Sequence, residues 1–78
     1  MTKFKTRLER QVEVNNLRDT FLNSVKDIPV EEYQEILDLF DQFENSGKFC
    51  KRKVDIGKKK VVLVLSQNKN VTSSITFM

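Results

Sequence analysis

Apolar residues recur along this chain with two different periods, and the change of period divides it. In "PVEEYQEILDLFDQFENSG", residues 29 to 47, Tyr33, Ile36, Leu37, Phe40 and Phe43 fall on one stripe of a helix. Pro29 suits a first helical turn, where its missing N–H costs nothing, and Glu31 and Glu32 suit the positive end of the helix dipole. Gly47 is a natural stop. The pattern predicts a helix from about 29 to 45. Upstream, "NNLRDTFLNSVKDI" predicts a second amphipathic helix from about 17 to 27, with Leu17, Phe21, Val25 and in part Leu22 facing inward. Asn16 reads as its N-cap, and Asp19 lies near its positive end. Pro29 ends it, and the short link makes the two helices antiparallel neighbours.

The period changes after Gly47. A strand is expected from about 48 to 55, a turn at Ile56–Gly57–Lys58 with Gly57 supplying positive φ, and a second strand from about 59 to 66. "VVLVL", residues 61 to 65, has no polar alternation, which predicts a central strand covered on both faces. "SQNKN" is the next turn. "VTSSITFM" sets Val71, Ser73, Ile75 and Phe77 against Thr72, Ser74 and Thr76, an amphipathic strand with one face to the core.

Residues 1 to 14 fit two patterns. Phe4, Leu8, Val12 and Val14 alternate with Lys3, Lys5, Arg7, Glu9, Gln11 and Glu13, which reads as a strand. Phe4, Leu8 and Val12 also share a helical face, but that stripe lies roughly 140° around from Leu17, Phe21 and Val25. One straight helix would bury only one of the two stripes. The strand is the preferred reading. The expected fold is α+β, a single domain over residues 1 to 78: a helical hairpin packed on a small antiparallel sheet, β-α-α-β-β-β with the first strand left open.

Composition then narrows the chemistry. The 78 residues contain no histidine and one cysteine, Cys50, so the commonest general base is missing and a zinc set within one chain is out of reach. With no disulfide to form and no apolar run of membrane-spanning length, the expected place is the cytoplasm, away from membranes. No cofactor, metal or catalytic residue is expected. Cys50 reads as a small buried residue, Tyr33 as core and Asp55 as a turn residue.

Charge is sorted along the chain. Residues 27 to 47 hold seven acids and no base, and residues 48 to 78 hold eight bases and one acid, Asp55. Because the apolar stripe of residues 29 to 45 must face the sheet, Glu31, Glu35, Asp38 and Asp41 are expected on a second, acidic partner face. In "KFCKRKVDIGKKKVVLVL" the expected partner site is Lys48, Lys51, Arg52, Lys53, Lys58, Lys59 and Lys60, gathered by cross-strand pairing. Like charges this close repel, and a polyanion relieves them. Phe49 is the aromatic within the patch that can stack on a base. The plainer alternative is that these lysines protect an exposed sheet edge from aggregation.

In layout, strand, two helices and three antiparallel strands with this basic hairpin, the chain resembles the RelE-like bacterial toxins, ribosome-dependent ribonucleases that cut mRNA without a metal. The resemblance implies an RNA-facing patch at Lys51, Lys53, Lys58 and Lys60. It departs on the late strand, where the family places basic, Tyr or His catalytic residues and "NVTSSITFM" has none. The small size and charged faces are also typical of phage-type accessory inhibitors of a host protein or nucleic-acid complex. The expected function is therefore a non-enzymatic binding protein with a protein, RNA or DNA partner; an RNA- or DNA-binding module and a RelE-like ribonuclease or inactive relative are the alternatives. A small core also favours a homodimer.

Overall fold

The computed structural model describes residues 3–78. Two helices and a three-stranded antiparallel meander follow one another: α1 (Arg7–Ser24), α2 (Gln34–Ser46), β1 (Cys50–Ile56), β2 (Lys59–Leu65) and β3 (Ser74–Phe77). The class is α+β, as the two periods predict.

The first fourteen residues correct the strand expectation. Met1 and Thr2 lie outside the described residues, Phe4 makes an isolated bridge to Asn68, and α1 begins at Arg7. The reason is the start signal at Thr6. Its side-chain oxygen accepts the Glu9 N–H at 3.2 Å, while the Glu9 carboxylate accepts the Thr6 N–H at 3.0 Å. This reciprocal capping box satisfies donors that a helix start otherwise leaves unpaired. Thr6, rather than Asn16, is therefore the N-cap, and Asn16 lies in mid-helix. As one straight helix must, α1 buries a single stripe: Val14 and Phe21 are inside with Leu17 beside them, whereas Leu8 and Val12 stay 69% and 53% exposed.

The second helix starts later than its periodicity indicates. Pro29 caps a short 3₁₀ turn, Val30–Glu32, and Tyr33 interrupts it at φ −127° before α2 begins. The interruption turns the Tyr33 ring edge-on to Phe21, with centroids 5.3 Å apart. Phe21 also meets Phe40 and Phe77, so one ring ties α1 to α2 and to β3. Gly47 ends α2 in the left-handed region at φ 69°, and its N–H donates to the Phe43 carbonyl.

The sheet order is β1-β2-β3, with β2 central. Gly57 at φ 59° followed by Lys58, which lacks positive φ, matches a type II′ hairpin turn. Ile56, Val61, Leu63 and Leu65 are buried among the helical apolar residues, and Ile75 and Phe77 join them. Both helices thus pack on one face of the sheet. This corrects the expectation for "VVLVL": among the described residues no helix covers the other face, and Val62 and Val64 are only half-buried there. Their shelter comes from the cross-strand neighbours Lys51, Lys53, Ser74 and Thr76.

Lys5 locks the N-terminal segment to the far end of the sheet. Its buried ammonium donates to Glu13 Oε1 at 2.8 Å, the Ser66 carbonyl at 2.8 Å and the Val71 carbonyl at 3.0 Å. Three donors meet three acceptors, which is the condition under which a buried cation is tolerated.

Candidate polyanion-binding face

Strand alternation decides which basic residues share a surface. In β1, Cys50, Arg52, Val54 and Ile56 point toward the helices, and Lys51, Lys53 and Asp55 point away. The β1–β2 register places Lys51 opposite Val64, Lys53 opposite Val62, and Asp55 opposite Lys60. Lys51, Lys53 and Lys60 therefore stand together on the open outer face, around Val62 and Val64, with Ser74 and Thr76 of β3 beyond. Asp55 is the acid on that face, and Lys58 projects from the adjoining turn. All four lysines are exposed.

The remaining cations of the predicted patch are placed elsewhere. Lys59 lies on the helix side, where its ammonium donates to the Ser24 carbonyl at 2.5 Å. It caps the negative end of α1, so it serves the fold and not the outer face. Arg52 also lies on the helix side, 3.9 Å from Glu35, with both side chains largely solvated. Lys48 is exposed in the link before β1.

The predicted acidic face is partly engaged within the chain. Asp41 accepts from Arg18 at 3.1 Å, and Glu44 lies 3.9 Å from the same guanidinium. Arg18 also sits over the Phe40 ring at 5.9 Å. Glu35 faces Arg52, and Asp38 accepts from Gln34. Glu31 is exposed in the 3₁₀ turn. The acidic segment thus meets α1 through Arg18 and the basic segment through Arg52, although neither contact neutralises Lys51, Lys53, Lys58 or Lys60: among the described residues none of these four has a carboxylate within salt-bridge distance.

Beside this face runs a cleft that the sequence does not foreshadow. It measures about 400 Å³ and lies between the C-terminal half of α2 and the outer edge of β1. Leu39, Phe43, Phe49 and Cys50 line it together with Gln42, Ser46, Lys48, Lys51 and Arg52. Phe49 is 66% exposed. Burial pushes the Cys50 thiol above its ordinary range, against a smaller opposing effect of Arg52. That favours the neutral thiol over the thiolate a nucleophile needs. Among the described residues no three Cys, Asp or Glu side chains cluster as a metal site, and no helix is long and apolar enough to cross a membrane.

No protein family, curated protein or solved structure matches the chain.

Proposed function

We propose that the protein is a non-enzymatic binding module that grips the phosphate backbone of a nucleic acid on the outer face of its sheet, without reading sequence. The observation that carries this reading is the register: it aligns Lys51, Lys53 and Lys60 on a face that no helix covers among the described residues, with Lys58 at the turn beside them. Lysine is a point charge suited to phosphate, and neutralising phosphates releases counterions and drives sequence-independent affinity. No aromatic residue and no amide side chain stands among the strand residues of that face, so base readout has little support there. The reading rests on the lysines of one chain and does not invoke a second copy.

The test is fluorescence anisotropy with a short labelled single-stranded RNA and its DNA counterpart over a salt series. Three phosphate contacts predict a log–log salt slope of about −2. Reversing Lys51, Lys53 and Lys60 to Glu should abolish binding, while Lys26→Glu, in the link between the helices, should leave it nearly unchanged. Circular dichroism should show both variants folded. Unaltered binding by the folded triple variant, or an affinity independent of salt, would sink the proposal.

A further inference from the structure

A second binding device lies at the rim of the sheet. β1 is an edge strand, since the order is β1-β2-β3. The two-residue turn makes Ile56 and Lys59 a hydrogen-bonded pair, and such pairs alternate along an antiparallel ladder. Even-numbered residues of β1 therefore turn their main-chain groups to β2. Lys51, Lys53 and Asp55 turn theirs outward, to an edge where no further strand is paired among the described residues. The carbonyl of Lys60, which accepts the Met78 N–H on the β3 side, confirms the phase.

We propose that this edge accepts an extended acidic peptide as a fourth strand, seated between β1 and the cleft against α2. Side chains of an added strand must alternate between the two faces. One set would enter the cleft, against Leu39, Phe43 and the exposed Phe49. The other set would stand on the outer face next to Lys51 and Lys53. The first environment offers Leu39, Phe43 and Phe49 to an apolar side chain, with Gln42 and Ser46 beside them, and the second is cationic. The partner is thus a segment in which apolar residues alternate with glutamate or aspartate. Lysines on an edge strand are usually understood as a guard against pairing with other edges. Here the guard is selective: basic strands, including a second copy of β1, are repelled, and an acidic strand is attracted.

This site rests on the edge and the cleft, not on the nucleic-acid reading, and the two fail separately. Lys60 belongs to β2, away from the edge, whereas Phe49 belongs to the cleft. The probe is a labelled peptide alternating glutamate with valine, measured by anisotropy, with amide hydrogen exchange of Lys51, Lys53 and Asp55 as the second readout. Binding should slow exchange at those three amides. A peptide with lysine in place of glutamate should not bind, nor should one N-methylated on the residues that pair. Phe49→Ser should weaken peptide binding by about tenfold, within the range of an anchor residue, and leave RNA binding intact. Lys60→Glu should do the reverse. Absence of peptide binding, binding without slowed exchange, or equal binding of the lysine or N-methylated peptide would overturn the proposal.

Discussion

Lys5 occupies a polar position in a segment whose alternation reads as a strand, and nothing in its neighbourhood distinguishes it from Lys3. The fold gives the two residues different roles. Lys3 is exposed, whereas the Lys5 side chain is 8% exposed and donates to three acceptors. Two of those acceptors are carbonyls more than sixty positions away in the chain, in the β2–β3 connection. Removing the ammonium takes a donor from the half-buried Glu13 carboxylate and from two carbonyls, and leaving such groups without a partner costs about 1–3 kcal/mol. Lys5→Met keeps most of the apolar stem and removes the charge, so it should destabilise the protein by about that amount in urea unfolding. Stability within about 0.5 kcal/mol of the parent, the usual range of a surface change, would show that the ammonium does not hold the segment.

At the scale of elements, α1 illustrates how a local start signal overrides an ambiguous period. "TRLE", residues 6 to 9, has the spacing of a capping box, Thr followed three positions later by Glu, a signal carried by the sequence itself. Its electrostatic consequence is testable. The hydrogen bond from the Thr6 N–H, with the Thr6 side chain beside it, holds the Glu9 carboxyl below its ordinary value of 4.5, with smaller help from Lys69 and Lys5. A group whose pKa is lowered by folding stabilises the fold above its unfolded value, and that contribution is lost as pH falls through the lower folded value. Glu9→Gln can still accept the hydrogen bond but cannot titrate. Thermal melts between about pH 3 and pH 7 should therefore show a gap between parent and variant that closes toward acid. Parallel curves would refute the assignment. The hairpin makes the complementary point. Gly57 and the alternating apolar residues located β1, β2 and their turn, but alternation also divides the basic residues between two faces, and Lys59 passes from the patch to the end of α1.

The whole molecule is one layer of helices on one layer of sheet, held at a node of aromatic rings. Phe21 is fully buried and meets Tyr33, Phe40 and Phe77, which come from three different segments. Loss of that ring leaves a cavity no single element can close. Phe21→Ala should cost about 3–5 kcal/mol in a cooperative unfolding transition. Leu8→Ala, on the exposed stripe of the same helix, should cost no more than about 0.5 kcal/mol. Equal losses at the two positions would mean that α1 is seated on the wrong face. The two-layer arrangement also creates both candidate sites: Lys51, Lys53 and Lys60 stand open on the outer face because both helices pack on the other one, and the cleft exists because α2 reaches the edge strand without covering its main chain.

Much of this architecture follows from the sequence by itself. Stripes of Phe21 and Val25, and of Ile36, Phe40 and Phe43, define helix faces, because an apolar face that recurs every three or four residues has one low-energy place to go. Glycine at positions 47 and 57 marks the two positive-φ positions among the described residues, since other residues are strained there. The segregation of charge and the basic hairpin are likewise plain in the sequence. Tertiary structure alone decided the rest. Two helices of this length cover one face of a three-stranded sheet and no more, so Val62 and Val64 are left half-exposed although their run reads as fully covered. Which lysines form a site depends on strand parity and register, a difference of one residue that composition does not record. The two carbonyl partners of Lys5 and the carbonyl partner of Lys59 lie more than thirty residues away, and long-range contacts of that kind leave no periodic trace in the chain.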